Sequence, residues 1–181
     1  MHSALAILSS LAVVSAAGAM GCSSPSSGTS PIGACDTTTP VSFSSDVMPI
    51  FQESCTLSGV CHGQTTYAAS ENLYLGLHAG GGSSDAQAVY KGLVGVPSKE
   101  DPSMDLVTAS STDTSFLWHK VNADQGNFAA DCTKAAMMCL DCTSSAPCGS
   151  LMPYQGNALS VDSPPHLCTI QGWILQGAKN N

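Results

Sequence analysis

Cys55-Thr56-Leu57-Ser58-Gly59-Val60-Cys61-His62 is the stretch on which the reading of this 181-residue chain turns. Two cysteines with a histidine directly after the second are the parts of a covalent haem attachment. The thiols bond the porphyrin's side groups and the adjacent imidazole ligates the iron. The spacing departs from the usual motif, because five residues separate the cysteines instead of two. The rest of the chain therefore has to decide between a haem site and a loop closed by a bridge between Cys55 and Cys61.

Upstream, residues 1–21 contain no Lys, Arg, Asp or Glu, and Ala4 to Ala19 is an apolar, small-residue run ending at Ala19-Met20-Gly21-Cys22. The run is short for a membrane span, rich in Ala and Ser, and followed by polar sequence, which predicts a cleaved export signal over 1–21. Cys22 then becomes the first mature residue. A small residue before a cysteine, followed by Ser23-Ser24-Pro25-Ser26-Ser27-Gly28-Thr29-Ser30, resembles a bacterial lipoprotein signal. The resemblance implies acylation of Cys22 and a flexible linker over 22–40. It also implies a place in the cell envelope, on the periplasmic side or the cell surface, and Ser23 is in keeping with outer-membrane sorting. Two positions depart from that pattern: Ala19 stands where a Leu is common, and the n-region offers only His2. The alternative is an ordinary secretory signal with Cys22 a thiol or bridged.

Residues 41–181 are enough for one domain and too few for two. The chain carries a net charge of -8 and contains no arginine, which argues against nucleic acid and anionic membrane surfaces as partners. A basic protein partner, or none, fits better, with membrane contact through the lipid anchor alone. Eight cysteines remain besides Cys22, and in an exported chain thiols are bridged or otherwise occupied. With haem on Cys55 and Cys61, the other six (Cys35, Cys132, Cys139, Cys142, Cys148 and Cys168) form three bridges; without it, eight form four. Connectivity stays open.

The pattern predicts a mainly α domain with long connections. A first helix over Phe43 to Cys55 has Ser44 as cap, Asp46 in its first turn, Pro49 near its start, and Val47, Ile50 and Phe51 on one face. From Gly63 to Ser84 the chain reads as loop, with a short extended piece where Leu73, Leu75 and Leu77 alternate. Gly80-Gly81-Gly82 is no phosphate loop, since no Lys-Ser/Thr follows. Ser84-Asp85-Ala86-Gln87 is a capping box opening a helix that groups Val89, Tyr90 and Leu93 before Gly92 and Gly95 end it. A third helix starts at Thr112 or Asp113 and carries Phe116, Leu117 and Val121. Cys132 to Cys148 is a disulfide-rich insert. A four-cysteine zinc knuckle is the alternative there, and export favours bridges. A thioredoxin-like role for Cys139 and Cys142 lacks its βαβ surroundings. The last helix, Pro164 to Gln176, has Ser163 as cap, Leu167, Ile170, Trp173 and Ile174 on one face, and Gly177 as its stop.

The order of these parts resembles a monohaem c-type cytochrome domain of the planctomycete type. The residues that carry the likeness are Phe43, Asp46, Val47, Pro49, Ile50 and Phe51; Cys61 and His62; Ser115 and Leu117; Met152 and Pro153; and Trp173, Ile174, Gly177 and Ala178. It spans residues 41–179. The enlarged Cys55–Cys61 loop and the insert before Met152 depart from it. The resemblance implies a cytochrome c-like helical fold and one covalent haem c on Cys55 and Cys61. In it His62 is the proximal ligand and Met152 the distal one, with Met104, Met137, Met138 and His119 as rivals for the distal place. His119 is expected to be a partly exposed helix residue and His78 a surface residue. Met/His ligation leaves no open position, which implies an electron carrier serving redox protein partners. The alternative is a haem-free, disulfide-stapled envelope lipoprotein that keeps the fold for structure or interaction. No Ser-His-Asp set, paired carboxylates or open metal site points to an enzyme.

Overall fold

Phe43, Val47, Ile50 and Phe51 recur at helical spacing, and the chain coils there to bury all four. The coil starts as a wide turn over Phe43–Val47 and continues as α1, Met48–Ser54. The widening has a local cause. Pro49 has no amide hydrogen and its ring crowds the carbonyl four residues back, and just ahead of it the Met48 amide donates to the Phe43 carbonyl, five residues back. Ser42, not Ser44, is the cap, its hydroxyl accepting from the Ser45 amide at 3.3 Å. The Ser44 hydroxyl donates instead to the Asn181 carbonyl at 2.7 Å, tying the far end of the chain to this turn.

The computed structural model describes residues 35–57, 61–65, 72–78, 81, 84–135 and 142–181. The expected signal over 1–21, Cys22, the linker up to residue 34, Met137, Met138 and Cys139 lie outside the described residues. Among those described, the elements are α1, α2 (Ala86–Lys91), α3 (Phe116–Asn122), a 3-10 turn (Gln125–Phe128), α4 (Ala129–Ala135), α5 (Leu159–Asp162) and α6 (Pro164–Leu175). The protein is mainly α. Isolated β-bridges such as Val94 to Val107 and Asp105 to Ser115 hold the loop between α2 and α3, and no sheet forms among the described residues. No helix among them is long and apolar enough to cross a membrane.

The core lies between the coil of residues 43–54 and α6. Leu167, Ile170, Trp173 and Ile174 project from α6 and are fully buried. The Trp173 ring stacks on Phe43 at 5.0 Å, and Phe43 meets Phe51 and Tyr90 edge-on at 6.3 and 5.6 Å. The indole N–H of Trp173 donates to the Lys179 carbonyl at 2.9 Å, so its one polar atom is satisfied. Trp173→Ala is expected to lower unfolding stability by about 4 kcal/mol, the usual size for emptying an aromatic site. A urea titration would check this; a loss below about 1 kcal/mol would mean that the core collapses into the void.

Two more helix starts depart from expectation. Asp85 caps α2, its carboxylate accepting from the Ala88 amide at 3.1 Å, while the Ser84 hydroxyl accepts from the Leu77 amide at 2.7 Å. Helix α3 begins at Phe116, not at Thr112 or Asp113. Ser115 ahead of it is buried, and its hydroxyl accepts from the Thr108 amide at 2.8 Å and donates to the Ser111 carbonyl. Those bonds hold 111–115 in a turn.

Cys132 and Cys148 form a disulfide with Cα atoms 5.0 Å apart, in a small cluster with Phe116. Cys142 is disulfide-bonded too. The insert is therefore stapled by bridges and is not a zinc knuckle. A second disulfide, Cys35–Cys168, fastens the segment before α1 to α6. Beside it the Gln176 side chain accepts from the Val41 amide at 2.9 Å and donates to the Thr37 and Thr39 carbonyls at 3.0 and 2.7 Å.

Candidate functional site

Helix α1 ends at Cys55, whose amide donates to the Phe51 carbonyl at 2.8 Å. Its thiol is buried with the main core. The Cys–His turn then closes on itself, the His62 amide donating to the Cys55 carbonyl at 3.1 Å. The Leu73–Leu77 piece lies beside this turn and holds it. The Leu75 amide donates to the His62 carbonyl at 2.9 Å, and the Thr56 hydroxyl donates to the Leu77 carbonyl at 3.1 Å. Gly76 (φ +115) lets the piece pass: a Cβ there would stand 2.8 Å from the Ser84 hydroxyl oxygen.

His62 Nδ1 lies 3.0 Å from the Leu73 carbonyl oxygen. A carbonyl only accepts, so the bond puts the proton on Nδ1 and leaves Nε2 of the neutral ring with its lone pair. Burial holds the His62 pKa below the usual imidazole value; the Leu73 bond opposes this and the Lys120 charge adds to it. Cys55 and Cys61, which the bridged alternative joins to each other, are both thiols. Burial, with the neighbouring Cys61 adding, pushes the Cys55 thiol up to about 12, so it stays protonated through neutral pH.

Met152 approaches from the other end of the sequence. Its amide donates to the Lys120 carbonyl of α3 at 2.9 Å, and its half-buried side chain packs on the same core cluster that contains Cys55. Of its rivals, Met104 packs in the separate cluster of Phe116, Cys132 and Cys148. His78 is exposed, as expected. His119 is buried at 6% exposure, against the expectation of a partly exposed residue. Its Nδ1 pairs with Asp124 at 2.8 Å, its Nε2 lies 3.2 Å from the Asp113 carbonyl, and its ring meets Phe128 at 4.4 Å.

Burial pulls the His119 pKa down, but the Asp124 carboxylate and the Asp113 carbonyl outweigh it, and the net direction is up. A raised folded pKa stabilises fully below the unfolded value and fades as pH rises through the folded one. The stability advantage of wild type over His119→Gln should therefore be largest below about pH 6.5 and shrink above it. Urea titrations across that interval would check this, and a constant difference would contradict it.

Sequence reasoning missed Lys120, which is buried together with every other residue of Phe116–Val121. Its ammonium donates to Glu100 Oε2 at 2.7 Å and to the Cys148 carbonyl at 3.0 Å. The signal was there as a lone lysine inside Phe-Leu-Trp-His-Lys-Val. A surface groove of about 420 Å³ lies elsewhere, between Thr39, Pro49 and His166, and neither the Cys–His turn nor Met152 lines it. Among the described residues no three His, Cys, Asp or Glu side chains converge as a metal site. The donors that the turn and the Met152 segment offer are two thiols, one imidazole nitrogen and one thioether. Set against known protein families, curated proteins and solved structures, the chain matches none.

Proposed function

We propose that this protein is an electron carrier of the bacterial cell envelope, anchored by an acylated Cys22 and using one covalent haem c to pass single electrons between redox protein partners. The observation that carries the reading is the His62 ring, whose Nδ1 is bonded to the Leu73 carbonyl at 3.0 Å. A ligating histidine commonly gives its other ring N–H to such an acceptor, which fixes the tautomer and the ring's direction. Cys55 and Cys61 as thiols fit the attachment chemistry, and the apolar surroundings of Cys55 suit a porphyrin.

In this reading Cys55 and Cys61 would hold the group through their sulfurs, and His62 and Met152 would ligate its iron. When bound, a haem supplies a one-electron iron couple whose potential depends on its ligands and on nearby charge. The chain's own part is to orient His62 through Leu73 and to keep it neutral by burial. It also brings Met152 up to α3 through the bond to Lys120. With His62 and Met152 both serving the iron, the reading would assign no enzymatic step. The cytochrome c-like fold belongs to the same proposal, and the Phe43–Val47 turn packed on α6 supports it.

A second reading has one observation of its own. Burial in the core raises the Cys55 pKa, which suits an inert thiol in a haem-free, disulfide-stapled lipoprotein with a structural or binding role. Expression of the full chain in a bacterial host carrying haem-maturation machinery separates the two. The first reading expects haem that survives a denaturing gel and gives a reduced-minus-oxidised difference spectrum. Folded, colourless protein would sink it and favour the second.

A further inference from the structure

The segment from Cys148 to Met152 is gripped at both ends by one residue. The Lys120 ammonium holds the Cys148 carbonyl at 3.0 Å, and the Lys120 main-chain carbonyl accepts from the Met152 amide at 2.9 Å. The ammonium is fixed by Glu100 at 2.7 Å, with the two side chains only 7% and 14% exposed, and it sits 5.6 Å from the centre of the Phe116 ring. Between the two grips the chain passes so close to the ion pair that a Cβ on Gly149 would lie 3.0 Å from Glu100 Oε1 and 3.1 Å from Lys120 Nζ. With its carboxamide turned so that the nitrogen faces the His119 carbonyl, Gln125 accepts from the Leu151 amide at 3.2 Å and adds a further tie to α3.

We propose that Lys120, locked by Glu100, is the positioning residue of the Met152 segment and sets where that methionine stands on α3. A lysine buried in the middle of an apolar helix face is costly unless its charge is paired and hydrogen-bonded. Here both partners are used to anchor loops, one before α3 and one after it. The meaning for an iron ligand rests on the haem reading, whereas the positioning does not.

Lys120→Met keeps the main-chain carbonyl and the length of the stem and removes the charge. Amide hydrogen exchange on the purified full chain should speed up by about tenfold or more at Gly149 and Met152, while Ala178, whose amide is held by the Trp173 carbonyl beyond α6, stays as in wild type. Glu100→Gln should accelerate the same two amides by a smaller factor, and it decides the matter if Lys120→Met does not fold. Unchanged exchange at both amides overturns the proposal. In haem-loaded protein, added imidazole competes for the place Met152 holds, and Lys120→Met should bind it about tenfold more tightly. Adding Lys120→Met to Met152→Ala should give nothing further. Equal imidazole affinity in wild type and Lys120→Met, with Met152→Ala binding it more tightly than either, would also overturn it. A colourless wild type sinks only the haem reading, and exchange alone then decides on Lys120.

Discussion

Replacing His62 with alanine is expected to abolish the reduced-minus-oxidised signal of the haem-loaded protein while leaving the helices folded. The argument is one of position. In the proposed site the His62 ring is the only imidazole attached to the Cys–His turn, and its direction is set by the bond to Leu73. His78 follows in an exposed stretch, and His119 has both ring nitrogens bonded. Neither can substitute without giving up its place. The fold should lose only about 1 kcal/mol, the net worth of one ordinary hydrogen bond. Far-UV circular dichroism and urea unfolding would read the fold, and the visible spectrum would read the site. A variant that keeps the wild-type spectrum would remove His62 from the proposal.

The second large effect concerns the Cys35–Cys168 bridge, which spans a sequence separation of 133. Cross-linking so long a stretch restricts the unfolded chain strongly. The chain-entropy relation puts the loss for the Cys35→Ala, Cys168→Ala double variant at up to about 5 kcal/mol. The folded state should survive at low denaturant, because Gln176 still clasps Val41, Thr37 and Thr39. In urea the midpoint should fall and the slope m should rise, since an unfolded chain without the bridge exposes more surface. An unchanged midpoint would show that the unfolded state is compact with or without the bond.

The apolar faces of α1 and α6 were legible in the sequence because burial there follows helical recurrence. Pro164 and Gly177 mark where α6 starts and stops, and its observed span Pro164–Leu175 differs from expectation by one residue. The errors share a cause. Local capping rules cover Ser44, Ser84 and the turn ahead of Ser115, but each hydroxyl meets a partner outside its own helix: that of Ser44 donates to Asn181, and those of Ser84 and Ser115 accept from Leu77 and Thr108. Capping rules see four residues and not the neighbour that arrives on folding.

The candidate site divides in the same way. Cys55, Cys61 and His62 could be named because their chemistry is carried by side chains. The Leu73 carbonyl that orients His62 could not be named, because a main-chain oxygen has no identity in a sequence. His119 was misjudged for a related reason. Its burial depends on Phe128 and on Asp124, which join it only once the 3-10 turn folds back beside α3.

The hydrogen bond from His62 to the Cys55 carbonyl bears on the irregular spacing with which this chain sets itself apart. A loop whose two ends are pinned by its backbone grows dearer only with the logarithm of its length. Going from two to five intervening residues adds about 0.8 kcal/mol of closure entropy. Length is therefore nearly neutral for the fold, and the interval can drift by insertion without moving either anchor. In the haem reading, selection on the spacing would then act through the attachment step at the two thiols and not through the fold.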